Sequence, residues 1–124
     1  MSMSLTIIAS IALAGCSMPK TVDTVSRRPV GVRESREVGL EAYMDLVGGE
    51  YAGKLKRMAM CESSMNEKAV SKGGRYIGLY QWWPTSWEHF ECSGDIWNGH
   101  DQVDCTLERL REGRKDMWPV CGYK

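Results

Sequence analysis

The stretch Cys61–Trp87, CESSMNEKAVSKGGRYIGLYQWWPTSW, decides the fold: a helix must end at its first residues and a glycine-marked turn must follow. Counting back from Glu62, the residues Ala59, Met58, Leu55 and Tyr51 recur at helical spacing. A helix over about residues 50–63 therefore buries the face from which Glu62 projects. Beyond it, Gly73, Gly74 and Gly78 break any further helix, so residues 66–81 read as an extended loop or small hairpin crossing a cleft. Pro84 then fits the first turn of another helix, preceded by Trp83 and with Trp87 one turn along.

Outward from this stretch the pattern stays helical. Leu40, Tyr43, Met44 and Val47 form one face of a short helix that Gly48 and Gly49 interrupt. On the other side, Asp101 is the expected N-cap of a last helix with the buried stripe Val103, Thr106, Leu107 and Leu110, closed by Gly113. No internal repeat interrupts the chain. The fold class is mainly α, with at most a vestigial β element.

A carboxylate on a buried face is held partly out of water, which disfavours its charged form and raises its pKa. That suits a general acid, which must hold a proton near neutral pH and then release it. The plainer alternative for Glu62 is a solvated helix end, and the stripe alone does not choose between them. The five tryptophans are dense for one small domain and divide between core and cleft. Alternation along an extended entry sends Trp82 and Trp83 opposite ways, Trp82 inward and Trp83 to the cleft. Trp87 and Trp118 are assigned to packing.

At 124 residues the chain holds one domain and short extras. Residues 1–15 carry an apolar run, Leu5 to Ala14, too short to span a bilayer, and Leu13-Ala14-Gly15-Cys16 resembles a bacterial lipoprotein cleavage box. The resemblance implies a signal peptide over 1–15 and a lipidated N-terminal Cys16, although Met1 to Ser4 lacks the usual Lys or Arg. With Ser17 rather than Asp following, it further implies sorting to an outer membrane, facing the periplasm. Residues 16–37 are polar and lightly basic and read as a flexible tether, leaving 38–124 as the folded domain.

Of five cysteines, four remain after Cys16: Cys61, Cys92, Cys105 and Cys121. An even remainder in a small exported domain argues for two disulfides. Three connectivities are possible. The expected one joins Cys61 to Cys121, closing nearly the whole domain into a ring, and Cys92 to Cys105, clipping a short loop to the helix after it. No C-x-x-C pair occurs and His89 and His100 fall in no ligand pattern, so no metal or cofactor is expected. Sixteen basic residues balance sixteen acidic ones, which gives no footprint for nucleic acid. The domain is expected to be a monomer.

Glu62-Ser63-Ser64, the Asn66, Ala69, Val70, Ser71 set, Gly78-Leu79-Tyr80-Gln81 and Pro84-Thr85-Ser86-Trp87 together resemble, in order, the elements of the lysozyme-like lytic transglycosylases. The run is also similar to the small branch that includes resuscitation-promoting factors. The resemblance covers about residues 50–121 and implies a lysozyme-like α+β fold acting on peptidoglycan glycan strands. It implies that Glu62 serves first as acid towards the bond between N-acetylmuramic acid and N-acetylglucosamine. Glu62 then acts as base towards the muramyl 6-hydroxyl, giving a 1,6-anhydro end. By the same resemblance Gln81 lines the cleft, Ser63 and Ser64 stand beside the acid, and one of Tyr76 and Tyr80 faces sugar while the other packs. Arg75, Tyr76 and Ile77 replace the smaller residues usual before the Gly-Leu pair, which implies a reshaped glycine loop. Two alternatives stay open: a hydrolysing muramidase on the same scaffold, and a catalytically silent lipoprotein that binds glycan or protein.

Overall fold

The computed structural model describes residues 36–124; the expected signal over 1–15, Cys16 and the tether up to residue 35 lie outside the described residues. Among the described residues four α-helices carry the fold: α1 (Leu40–Gly48), α2 (Ala52–Ser63), α3 (Pro84–His89) and α4 (Gly99–Arg111). Single 3-10 turns at Gly49–Tyr51, Lys115–Met117 and Cys121–Tyr123 join and extend them. Gly49, at φ 58°, lets the chain leave α1 and re-enter helix within one turn. The stripe read from sequence is the buried one: Leu55, Met58 and Ala59 on α2 meet Tyr43 and Met44 of α1 and Val103, Leu107 and Leu110 of α4.

α2 ends where the sequence changes character. Ser64 and Met65 both take left-handed conformations, at φ 57° and 65°, and their N–H groups bond back to Met60 and Ala59 at 3.0 and 3.1 Å. The chain then enters the glycine segment, which is tied by two isolated antiparallel bridges, Val70 with Ile77 and Ile77 with Trp82. Among the described residues these bridges are the β content of the fold. The domain is thus mainly helical.

A buried amide locks the glycine segment to α4. Gln102, fully buried, accepts from Leu79 N at 2.9 Å and donates to Ile96 O at 2.6 Å and Glu67 O at 3.1 Å. Gly78 makes that approach possible, because a Cβ there would lie 2.4 Å from the Gln102 amide nitrogen and its φ is 84°. Tyr80, carried on the same loop, drops into the core and donates to Leu55 O at 3.1 Å. Trp82 follows it, donating to Thr106 Oγ1 at 2.9 Å and meeting Trp87 and Trp118 edge-on at 5.5 and 5.7 Å.

The start of α4 corrects the sequence reading. Asn98, not Asp101, is the N-cap: it is extended, and its side-chain oxygen accepts from Asp101 N at 3.0 Å. Asp101 lies within the first turn, where its carboxylate accepts from Asp95 N at 2.9 Å and pairs with Arg36. Glu67 completes this helix start by accepting from Gly99 N at 2.7 Å, a favourable place for negative charge. Arg36, assigned to the tether by composition, belongs to the same cluster, bonding Asp104 at 2.8 Å and Tyr43 Oη at 3.2 Å.

The expected disulfides are both present, Cys61–Cys121 and Cys92–Cys105, with Cα separations of 5.7 and 5.5 Å. They close loops of 60 and 13 residues. Chain entropy then ranks them: replacing the longer pair by serines is expected to cost about 4 kcal/mol and the shorter about 3 kcal/mol. Urea unfolding of the two double variants measures the order, and a larger loss at the 92–105 pair would contradict it.

Candidate active site

Glu62 stands in the last turn of α2 and is half-buried. The same periodicity that buries Leu55, Met58 and Ala59 turns its carboxylate towards the protein rather than outwards. Burial pushes the carboxyl above the usual range. No basic residue occupies the last turn of α2 to offset that.

In front of Glu62 lies a recess of about 260 Å³, walled by Tyr76, Gln81, Met117, Trp118 and Pro119. Tyr76, Gln81, Met117 and Trp118 also wall a second recess of about 210 Å³, which Trp82, Trp83 and Ser86 complete. The shared walls make one cleft running from the acid to the start of α3. Its lining mixes aromatic rings with a carboxyl, an amide and hydroxyls, which suits a ligand that presents apolar ring faces and polar edges.

Each wall has a local cause. Gln81 sits at φ 54° at the tight end of the bridge between Ile77 and Trp82, and its amide donates to Gly78 O at 3.1 Å. That bond fixes the amide and leaves its oxygen and second N–H to face a ligand. Tyr76 and Trp83 are 40 % and 45 % exposed, against 2 % for Trp82, so the alternation read from sequence divides the two tryptophans as expected. The Tyr76 and Trp83 rings, 6.4 Å apart and tilted, stand side by side at the rim. Tyr80 is the tyrosine that packs and Tyr76 the one that faces the cleft.

The opposite wall was not legible as a site. Met117, Trp118 and Pro119 come from the C-terminal segment, and Trp118, assigned to packing, both packs and lines the cleft. Its indole donates to Tyr80 O at 2.8 Å while its other edge faces the recess. The signal that could have placed this wall was the cysteine pairing, since Cys61 precedes Glu62 and Cys121 follows Pro119 closely. Gly122 then lets the segment fold on itself, a Cβ there being 2.3 Å from Lys115 O.

Ser63 and Ser64 are placed at the helix end rather than in the cleft lining. Ser63 Oγ donates to Ala59 O at 3.1 Å and accepts from Asn66 N at 3.1 Å, closing α2. Ser64 is the exposed left-handed cap. Glu67 is engaged at the start of α4, and Glu88 and Glu91 are exposed. Glu62 is accordingly the one carboxylate lining the cleft among the described residues. Nor, among them, do three or more His, Cys, Asp or Glu side chains gather as a metal site.

A raised carboxyl pKa has a fixed thermodynamic sign. The group favours the folded state below its unfolded pKa, and that contribution is lost as pH rises through the higher folded value. Glu62→Gln lacks this loss, so the variant is expected to gain stability over wild type between about pH 3 and pH 7, where a carboxylate of ordinary pKa near 4.3 becomes charged. Urea midpoints of both proteins at the two pH values test it; a constant difference would mean that the Glu62 pKa is ordinary. Comparison with known proteins finds no matching family model, no matching curated protein and no matching solved structure.

Proposed function

We propose that the protein is a peptidoglycan lytic transglycosylase on a lysozyme-like scaffold. The observation that carries this reading is a half-buried acid of raised pKa, Glu62, at one end of an aromatic cleft that also presents a fixed glutamine amide. Glycosidic cleavage needs a proton delivered to the leaving oxygen and support for an oxocarbenium-like transition state. A protonated Glu62 supplies the first. Tyr76, Trp83 and Trp118 offer ring faces against which sugars lie, and Gln81 offers hydrogen bonds to hydroxyl or acetamido groups.

The single carboxylate favours an intramolecular nucleophile over water. An inverting hydrolase places a second carboxylate about 6.5–9.5 Å from the first to activate water, and a retaining one places a nucleophile about 5–5.5 Å away. Glu62 has no such companion in the cleft lining among the described residues. In the proposed reaction Glu62 protonates the leaving oxygen as the glycosidic bond breaks. The resulting carboxylate then takes the proton of the muramyl 6-hydroxyl as that oxygen closes on C1. The acid is regenerated and no water is consumed.

Glu62→Gln keeps size and hydrogen bonding but removes the titratable proton. Cleavage of purified peptidoglycan is expected to fall by about 10²- to 10⁴-fold, with near-unchanged circular dichroism. Wild type should release muropeptides ending in 1,6-anhydro-muramic acid, one water lighter than reducing ends. Reducing ends alone would make the protein a muramidase. Full activity in the variant would place the acid elsewhere, and a folded wild type without activity would leave a glycan-binding or protein-binding lipoprotein.

The anchoring read from sequence is part of the same proposal. Cleavage before Cys16 and acylation would hold the domain at an outer membrane through a tether of polar residues, since several acyl chains together give stable attachment. Metabolic labelling with a fatty-acid analogue is expected to mark wild type and not Cys16→Ser. Equal labelling of both would remove the anchor.

A further inference from the structure

A third recess, of about 360 Å³ and without Glu62 in its lining, opens between α2 and the end of α4. Tyr51, Leu110 and Gly113 line it together with Lys54 and Lys115. Lys54 reaches it from the first turns of α2, held by a hydrogen bond to Gly122 O that uses one of its three donors. Lys115 reaches it from the 3-10 turn after α4, its Nζ 4.7 Å above the Tyr123 ring. Arg57 stands nearby and donates to Lys124 O at 3.2 Å.

The charged side chains of the lining are of one sign. The lining holds two cations and no carboxylate, and among the described residues neither lysine forms an ion pair. The nearby Arg114 pairs instead with Asp116 at 3.4 Å, so the local acid is directed elsewhere. Burial lowers the Lys54 pKa first, and the repulsion of Lys115 and Arg57 lowers it further. Two like charges gathered beside an apolar wall are unfavourable on their own, and a bound anion relieves both repulsion and poor solvation.

We propose that this recess binds a phosphate monoester borne on an apolar or aromatic body. The charge match selects the head group: a phosphate monoester carries about −1.5 to −2 near pH 7 and three acceptor oxygens, against one charge for a carboxylate. Two lysines are point donors that can each meet one of the several oxygens of such a head. Tyr51 and Leu110 receive the body of the ligand. Because Lys115 begins the turn whose last residue, Met117, lines the catalytic cleft, the occupied site would brace the cleft wall from behind.

The site does not rest on the proposed reaction, and its test reads no activity. Phenyl phosphate is titrated into the labelled protein while the Tyr51 ring and Leu110 methyl resonances are followed. Saturable shifts at these residues are expected, weakening by about fivefold in Lys115→Gln, the size of one exposed charge pair, and weakening as salt rises. Lys115→Gln leaves the Lys54 bond to Gly122 intact, so an unchanged amide spectrum certifies its fold. Benzyl alcohol, which keeps the ring and lacks the charge, should bind far more weakly. No saturable shift with phenyl phosphate, equal affinity in Lys115→Gln, or equal binding of benzyl alcohol would overturn the proposal.

Discussion

The crosslink between Cys61 and Cys121 is the constraint on which the cleft depends. It ties the residue before Glu62 to a C-terminal segment made of two single 3-10 turns, elements too short to hold a position by their own hydrogen bonds. Once that end is fixed, the Trp118 indole can reach Tyr80 O, Gly122 can fold against Lys115, and Lys54 can bond Gly122 O. Met117 and Pro119 then face Glu62 across the recess. One covalent bond therefore turns a helix end into one side of a cleft.

The other side is organised by polar burial. Gln102 has no solvent exposure, and its value lies in meeting three backbone groups, at Leu79, Ile96 and Glu67, that would otherwise stand unpaired in the interior. An apolar residue there would fill the volume and abandon the amides. The arrangement also sets the register of the loop: with Leu79 pinned, Tyr80 must enter the core and Gln81 must turn outwards to the cleft. The left-handed backbone at Gln81 is the local cost of that turn, about 1–3 kcal/mol for such conformations, accepted at a position that lines the cleft.

The helices and the core stripe were legible because periodicity reports a buried face directly, and the division of Trp82 from Trp83 was legible because alternation does the same for an extended entry. The cap of α4 was misread because Asn98 and Asp101 are both capable of capping, and the choice between them is tertiary. Glu67 bonds the N–H of Gly99, and a Cβ at that glycine would lie 2.5 Å from the Glu67 carboxylate, which starts the helix at Gly99. Arg36 looked like tether because its neighbours in sequence are polar, while its partners, Asp101 and Asp104, lie more than sixty residues away. The wall of Met117, Trp118 and Pro119 has no periodicity at all. Its place follows from a disulfide and from a glycine that tolerates close approach, and only the first of these leaves a mark in the sequence.

The position of Glu62 along its helix adds to the effect of its burial. Desolvation is the first reason that its pKa is raised. The carbonyl end of a helix carries partial negative charge, so a carboxylate in the last turn meets a field that also favours the neutral acid. Ser63, Ser64 and Met65 engage carbonyls there and soften that field without replacing it by a cation. A basic residue in the same turn would pair with Glu62 and lower its pKa. The sequence instead offers Cys61 on one side, committed to the disulfide, and two serines on the other. Acidity, burial and cleft thus converge on one residue because the helix that buries its face also ends there, and the bond that closes the cleft starts from its neighbour.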